Sequence, residues 1–565
     1  MSTTSRRKKL DLVSVVGYES PEVAKIFIIF KRKHDDPSSN TANLECVGFE
    51  HFDDEKYKNI KLNKITENIE TKILLIPILN FNEKIEYKVK CANRTCFGSF
   101  KLPNPHSRNL RVALISCNDI EEGINDNNHS PTLLKTVMWK KLKENLNNID
   151  LIIHAGDQIY ADSIKSKSFE SYCERYADTW REKDVHEVLS SCPSVMMWDD
   201  HDIYNGFGSN DNDLSAENLN IFQAARKAFY YFQNALNPSN QFDQNLTDII
   251  PNEVIENPNE RPCFTNSFNI GKNLFLLLDA RSNRNHQNGK ILGDKQLANI
   301  ENFLNSIEKD QIENMLVVTG LPLIQFTGFL FKRDWLEKNI DDLKDNWTSS
   351  NNINEFKKFM QLIFSFKEKT NTKITFLSGD IHVASCGKII NENNQEILQI
   401  TSSGIVTMYP TWLVTIGTSV EGTIPFDGGY TGELIKIDKR DEIHQIFKGI
   451  VIYNRNFAII NINNNNLSCR WIGEENFSIL YKKIYIAKEE EKKLEILELE
   501  NKKDEIITGI ASVKEMNDSL IKSKNNNIKN INKNINKLKN DIEIIENLKN
   551  VDEQSSFFET EITNL

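Results

Sequence analysis

Four short strings in this chain each come directly after a run of apolar residues. They are Ser116-Cys117-Asn118, Gly156-Asp157-Gln158-Ile159-Tyr160, Asp199-Asp200-His201-Asp202 and Gly379-Asp380-Ile381-His382. An apolar run that ends in polar side chains reads as a buried strand handing over to a loop at its carboxyl end. That is where α/β proteins collect ligand-binding groups, because the strand fixes the backbone and leaves the loop free to face a ligand. Carboxylates, a thiol, a phenol and imidazoles drawn from four such loops point to a site for more than one metal ion.

The residue types narrow the metals. Gly156 lets the chain turn sharply, and Asp157 then leaves a strand end with two oxygens able to bridge two cations. Tyr160, three residues on, can return to the same point. A phenolate is a poor ligand for magnesium or calcium and a thiolate is a soft donor, so Cys117 and Tyr160 together suggest a ferric or similar transition ion. A cysteine at a strand end is by itself an ordinary buried small hydrophobe; the company of the other loops makes it a candidate ligand. The carboxylates of Asp199, Asp200 and Asp202 around His201 repel one another unless cations neutralise them, although one of them would serve as a helix N-cap. Asp380 and His382, two apart, lie on one side of an extended segment.

Around this set, Asn205-Gly206-Phe207-Gly208 is a glycine-rich turn whose backbone N–H groups can approach a phosphate. Arg281 and Arg284 come after an apolar run and have the planar fork that suits phosphate, and they read equally well as surface residues. His154, just before Gly156-Asp157, reads as a supporting or core histidine rather than a ligand.

Three regions are expected. Residues 1–106 are β-rich, with strands at Val23–Phe30, Ile69–Leu79 and Lys84–Val89, and read as an immunoglobulin- or fibronectin-like module ending at Pro103-Asn104-Pro105. Residues 107–482 alternate strands (110–115, 149–154, 194–198, 274–278, 315–318, 373–377, 397–401) with helices (133–146, 217–234, 294–307), the pattern of a layered α/β domain. Strands 457–462 and 467–471 close it. Residues 483–565 read as a helical tail. There Ile528, Ile531, Ile535, Leu538, Ile542 and Ile545 are spaced alternately three and four apart, a heptad seam. Two readings stand for it: self-association through 528–548, or a helix that is folded back on the surface of the α/β domain or partly disordered.

The bulk composition excludes several classes. With 565 residues the chain is too long for one average domain. No apolar run approaches the ~20 residues of a membrane helix, and a formal charge of −11 argues against a general nucleic-acid binder. Nine irregularly spaced cysteines, an odd count, do not fit a stapled secreted fold. Arg6-Arg7-Lys8-Lys9 resembles a twin-arginine export signal, but Asp11 interrupts the apolar stretch after it and no continuous h-region appears. A cytoplasmic address is expected.

The four strings, in this order and at these separations, resemble the PhoD-like (alkaline phosphatase D) group of the metallophosphatase superfamily over roughly residues 110–405. The stretch Tyr176–Ser209, with Thr179-Trp180-Arg181-Glu182 and Trp198–Asp202, is similar to that family as well. The resemblance implies a four-layer α/β fold, two facing mixed sheets flanked by helices, with the ligands at the sheet ends. It implies that Cys117, Asp157, Tyr160 and His382 hold one metal, iron, and that Asp157, Asp200 and Asp380 hold a second. His201 matches the histidine that contacts substrate and protonates the leaving group. One departure stands out: Gly320, in Thr319-Gly320-Leu321-Pro322, sits where the wider superfamily often places a metal-binding histidine before a proline. An all-oxygen second site suited to calcium, magnesium or manganese is therefore expected. The implied activity is hydrolysis of small phosphate mono- or diesters by a hydroxide that the two metals activate. The competing reading is a catalytically silent scaffold acting through its helical tail. Whether Asn118 or Asp119 also ligates stays open on the sequence.

Overall fold

The computed structural model describes residues 9–34, 36, 41–47, 54–78, 81, 83–120, 135–239, 261–324, 345–407, 423–426, 429–437, 451–452, 454–463, 466–474 and 557–563. It also describes a set of helical positions between 493 and 539. Two of the strands that carry the four strings, Leu151–Ala155 and Ser194–Met197, are buried throughout, and so is their counterpart Asn314–Thr319 in the second sheet. Such runs suit parallel strands covered on both sides.

They assemble into two mixed sheets. The first is ordered Phe557–Ile562, Asn466–Glu474, Asn456–Asn463, Asn109–Ile115, Leu151–Ala155, Ser194–Met197, Leu12–Ser20, Val23–Lys31, Ile69–Pro77, Asn63–Lys64. Asn109–Ile115, Leu151–Ala155 and Ser194–Met197 are parallel neighbours at its centre. The second is ordered Asn266–Ile270, Asn273–Leu277, Asn314–Thr319, Lys373–Ser378, Glu396–Ser402, Ala384–Ile390, Tyr430–Ile435, Thr423–Phe426. Its strands from Asn273–Leu277 to Glu396–Ser402 are parallel. Carboxyl ends of parallel strands from both sheets are therefore available to one site.

Helices cover the sheets. Phe169–Trp180 and Ala216–Phe232 start at Ser168 and Ser215, whose side chains accept from the N–H groups of Ser171 and Asn218. Phe27 of the first sheet meets Trp180 at 6.4 Å and Phe232 at 5.8 Å between ring centroids. Under the second sheet, Ile300 and Leu304 of Asp294–Ser306 and Phe356, Phe359 and Ile363 of Ile353–Thr370 join Met315, Val317, Ile374 and Phe376 in one core. The sheets themselves meet through Tyr18 and Phe268, 5.6 Å apart, and through the Trp471 indole, which donates to the Thr401 carbonyl at 3.1 Å.

The N-terminal region differs from expectation. It does not close as a separate module at 106. Leu12–Ser20 runs parallel to Ser194–Met197, with Gly17 opposite Ser194, and Val23–Lys31 and Ile69–Pro77 extend the same sheet. The physical reason is burial: Val13, Val15, Val16, Ile26, Ile28 and Ile29 are all buried, so both faces of these strands need cover. The remaining N-terminal strands form a small sheet, ordered Ile60–Lys61, Thr41–Val47, Ile85–Cys91, Arg94–Phe100. The Tyr87 hydroxyl ties this sheet to the first, 3.0 Å from Ser14 Oγ and donating to the Ser190 carbonyl at 3.2 Å.

Residues 1–410, 414–473 and 559–565 form one compact unit and 411–413 with 474–558 a second. Within the second, Ile531 and Ile535 of the expected seam are buried against Ile496 and Leu499 of the same chain. Leu538, Ile542 and Ile545 lie outside the described residues. Among the described residues no helix is long and apolar enough to cross a membrane.

Replacing Tyr87 by Phe removes the hydroxyl between Ser14 and Ser190 while keeping the ring. It is expected to lower the unfolding free energy by about 1–2 kcal/mol, read from the urea midpoint at unchanged slope.

Candidate metal centre

The loops after the parallel strands converge. Cys117 N–H donates to the Gly156 carbonyl at 3.4 Å and Asn118 N–H to the Asp157 carbonyl at 2.8 Å, joining the first two strings. His201 N–H donates to Asp157 Oδ1 at 3.3 Å, which adds the third. Tyr160 Oη lies 2.9 Å from His382 Nε2, which adds the fourth. The two sheets are joined here as well, since Ile405 N–H donates to the Ser116 carbonyl at 3.1 Å; within the second sheet, Gly379 N–H donates to the Gly320 carbonyl at 2.9 Å.

The backbone at these positions is unusual. Cys117, Asp157, Asp380 and His382 all have positive φ, at 56°, 57°, 63° and 54°. A left-handed conformation costs a non-glycine residue on the order of 1–3 kcal/mol, and such residues gather at functional sites. Gly156, at φ 90°, precedes Asp157, and a Cβ there would lie 2.5 Å from Asp199 Cβ. A Cβ on Gly320 would run into the Asp199 carboxylate. Position 320 is thus held small because Asp199 already fills the space.

Two overlapping groups of donors result. Oxygens of Asp157, Asp199, Asp200 and Asp380 lie within 4.8 Å of one another, and Asp157, Asp200 and His201 form a second such group. Beside them, Cys117 Sγ sits 3.4 Å from Asp157 Oδ2, and Thr407 Oγ1 donates to the Cys117 carbonyl at 3.0 Å and lies 3.3 Å from Tyr160 Oη. Among the described residues, nothing hydrogen-bonds the buried Asp199 Oδ2 and Asp200 Oδ1. Burial, then Cys117 and the carboxylates of Asp200, Asp199 and Asp380, push the Asp157 carboxyl well above the usual range. Burial and Asp199 and Asp200 do the same to Asp380. Crowded carboxylates with unpartnered buried oxygens fit divalent or trivalent cations. The thiol and phenol beside Asp157 fit a transition ion.

His201 stands at the rim. Its ring stacks on Tyr160 with centroids 4.0 Å apart, and Nδ1 lies 2.6 Å from Asp162 Oδ2. Burial works against its charge, but Asp200 and then Asp162 hold its pKa up at about 10. Burial raises the Asp162 carboxyl and the bond to His201 more than reverses this, so its pKa is lowered. Asp162 was not singled out from the sequence, although it lies only two residues past Tyr160.

Other expectations are corrected. Arg281 and Arg284 are neither surface residues nor open to a phosphate: both are fully buried and held by Asp345. Arg281 Nη2 lies 2.7 Å from Asp345 Oδ2 and 3.4 Å from Asp200 Oδ1, and its Nε binds Asp199. Arg284 Nε lies 2.8 Å from Asp345 Oδ1. The glycine-rich turn spends its N–H groups on the protein's own carboxylates: Asn205 on Asp162 at 2.7 Å, Gly206 on Asp200 at 2.6 Å, Gly208 on Asp213 at 2.5 Å. Asn205 keeps an exposed side chain. Asn118 is engaged at both ends of its amide, by Trp139 Nε1 at 2.9 Å and the Gln158 carbonyl at 3.2 Å. His154 is a core residue, bonded to Gln158 and Ser194, and burial lowers its pKa to about 4. Asp345 comes after a stretch with no readable pattern, and nothing in the sequence marked it.

The description "PhoD-like phosphatase" matches residues 112–407. An uncharacterized protein of Saccharomyces cerevisiae, YGR266W, is 22% identical over 392 residues, 55% of this chain and 55% of that protein. The matched stretch thus spans about half the length of that relative. A solved structure of PhoD superposes with a TM-score of 0.54 at 15% identity, over 84% of this chain and 88% of that one, a likeness of fold.

Burial pushes the Asp345 carboxyl up, and Arg281 and Arg284 more than offset this, bringing its pKa down to about 2. A folded-state value below the unfolded ~3.9 stabilises the fold fully above about pH 4, and the contribution is lost as pH falls through about 2. Asp345→Asn is expected to cost about 3 kcal/mol at neutral pH and to flatten this acid limb of stability, measured by urea unfolding from pH 7 to 2.

Proposed function

This chain belongs to the PhoD-like phosphatase family, and from that premise we propose that it is a metal-dependent phosphoric-ester hydrolase with a dinuclear centre. The observation that carries the reading is the cluster of Asp157, Asp199, Asp200 and Asp380, with buried, unpartnered oxygens, where strands of both sheets end. The fold that supports it is a layered one, the two mixed sheets lying between helices as in a four-layer metallophosphatase sandwich.

Cys117, Asp157, Tyr160 and His382 would hold iron; Asp157, Asp200 and Asp380, with Asp199 beside them, would hold a harder divalent ion, calcium, magnesium or manganese. When bound, two such cations lower the pKa of water toward ~7 and neutralise charge on a phosphoryl group. The chain's own residues supply the rest. Asp162 fixes the His201 ring through Nδ1, which leaves Nε2 as the nitrogen that carries a proton to the departing ester oxygen. Stacking on Tyr160 holds the ring plane. Arg281, locked between Asp199, Asp200 and Asp345, limits the repulsion among the carboxylates and keeps them facing inward. The substrate is a small phosphorylated molecule, and neither a nucleic-acid partner nor self-association through 528–548 is needed for this chemistry.

Purified protein is expected to hydrolyse p-nitrophenyl phosphate or its bis-ester. Chelation is expected to abolish turnover, and Asp157→Asn to leave under about 1% of it, more than the loss of a supporting residue would cost. Metal analysis should find iron with a second divalent ion. Turnover that survives both treatments would sink the mechanism, and a metal-free protein inert on both esters would favour a scaffold.

A further inference from the structure

Ser403 is the first residue after the strand Glu396–Ser402, in a loop between the two sheets. Its hydroxyl lies 3.0 Å from Cys117 Sγ and accepts the backbone N–H of His382 at 2.9 Å. A hydroxyl has one proton and two lone pairs. The amide N–H can only donate, so it occupies a lone pair and leaves the hydroxyl proton for the sulfur. Ser116 Oγ also reaches Cys117 Sγ, at 3.4 Å, but it reaches the Ser402 carbonyl at 3.3 Å as well. The Ser403 contact is the shorter, and the amide fixes its direction.

The Cys117 sulfur is fully buried. In the thiol form its own proton has acceptors at 3.4 Å in Asp157 Oδ2 and the Asp380 carbonyl. As a thiolate it can only accept, and Ser403 is the donor already aimed at it. We propose that Ser403 is a positioning residue for the metal centre: it hydrogen-bonds the Cys117 thiolate and, through His382 N–H, locks the thiolate and the imidazole into one ligand frame. This rests on the reading of Cys117 and His382 as ligands. Asn456 supports the placement, its side chain donating to the Ser403 carbonyl at 2.8 Å while its backbone N–H donates to the Gly404 carbonyl at 3.2 Å.

The sequence carries a faint signal for this, since Thr401-Ser402-Ser403-Gly404 places hydroxyls at a strand's carboxyl end. Partners that orient a metal ligand typically change affinity by ~10–100-fold when removed, and hydrogen bonds to a ligand sulfur tune the electronics of the site.

The test is titration of the metal-depleted full chain with cobalt(II), monitoring the thiolate-to-cobalt charge-transfer band. Wild type should show the band and Cys117→Ser should lose it. Ser403→Ala is expected to bind cobalt about 10–100-fold more weakly and to shift the band to longer wavelength, because a sulfur without its hydrogen bond gives up charge more readily. Ser403→Thr, which keeps the hydroxyl, should stay near wild type, and Ser403→Val should behave as alanine does. Should the alanine variant not fold, the near-isosteric Thr and Val pair makes the same comparison. An unchanged band and affinity in Ser403→Ala, or a Val variant equal to Thr, overturns the inference while the ligand assignment stands. A wild-type protein without a Cys117-dependent band overturns the ligand assignment and this inference with it.

Discussion

The carboxylate of Asp202 gathers the site. Oδ2 accepts the backbone N–H groups of Asp157, Gln158 and Asp199, and Oδ1 accepts Ile159 N–H, the Tyr176 hydroxyl and the Gln233 side-chain amide. One buried group therefore fixes the turn that presents Asp157 and the turn that presents Asp200 and His201, and anchors both to the helices at Tyr176 and Gln233. Asp202 itself is fully buried. A buried carboxylate satisfied on every side is a rigid node, whereas one left short of donors would be costly. The carboxylates of Asp199 and Asp200 nearby are short of donors among the described residues, so the cluster separates into a satisfied node that shapes it and a less satisfied rim around it.

Charge obeys the same division. Asp157, Asp199, Asp200, Asp380 and Asp345 are crowded around the guanidiniums of Arg281 and Arg284. Asp345 takes up most of what the arginines offer, and Arg281 spreads the remainder over Asp199 and Asp200. The excess negative charge stays on the inward-facing oxygens. A phosphate-binding arginine would need a fork open to solvent, and here both guanidiniums are fully buried.

Much of this was legible in the sequence because a strand with both faces buried leaves an unmistakable apolar run, and the residues just beyond that run form the loop at its end. Leu151–Ala155 and Lys373–Ser378 fall within two residues of their expected limits. Pairing partners are not written locally. Val23–Lys31 reads the same whether it closes a separate sandwich or extends the central sheet, and only Gly17 lying opposite Ser194 decides it. The residues that escaped notice, Asp162, Asp345 and Ser403, act across long separations or from loops without pattern. Arg281 and Arg284 were misplaced for a related reason: an arginine's sequence neighbours do not show whether its fork is closed by a carboxylate far along the chain.

The left-handed backbone at Cys117, Asp157, Asp380 and His382 ties the node, the charges and the strand ends together. At the end of an extended strand, a positive φ swings the next side chain out of the pleat and back across the sheet edge. Four such residues, in the loops after three strands of the two sheets, bring their side chains to one point that ordinary strand geometry would leave dispersed. The conformational cost falls at these four residues, and the interactions that oppose it come from others: the Asp202 node under Asp157, the Ser403 hydroxyl under His382, and Asp199 packed against Gly156 and Gly320. A glycine at 320 is then part of the same solution. With the Asp199 carboxylate already filling that space, any side chain at 320 would have to displace it.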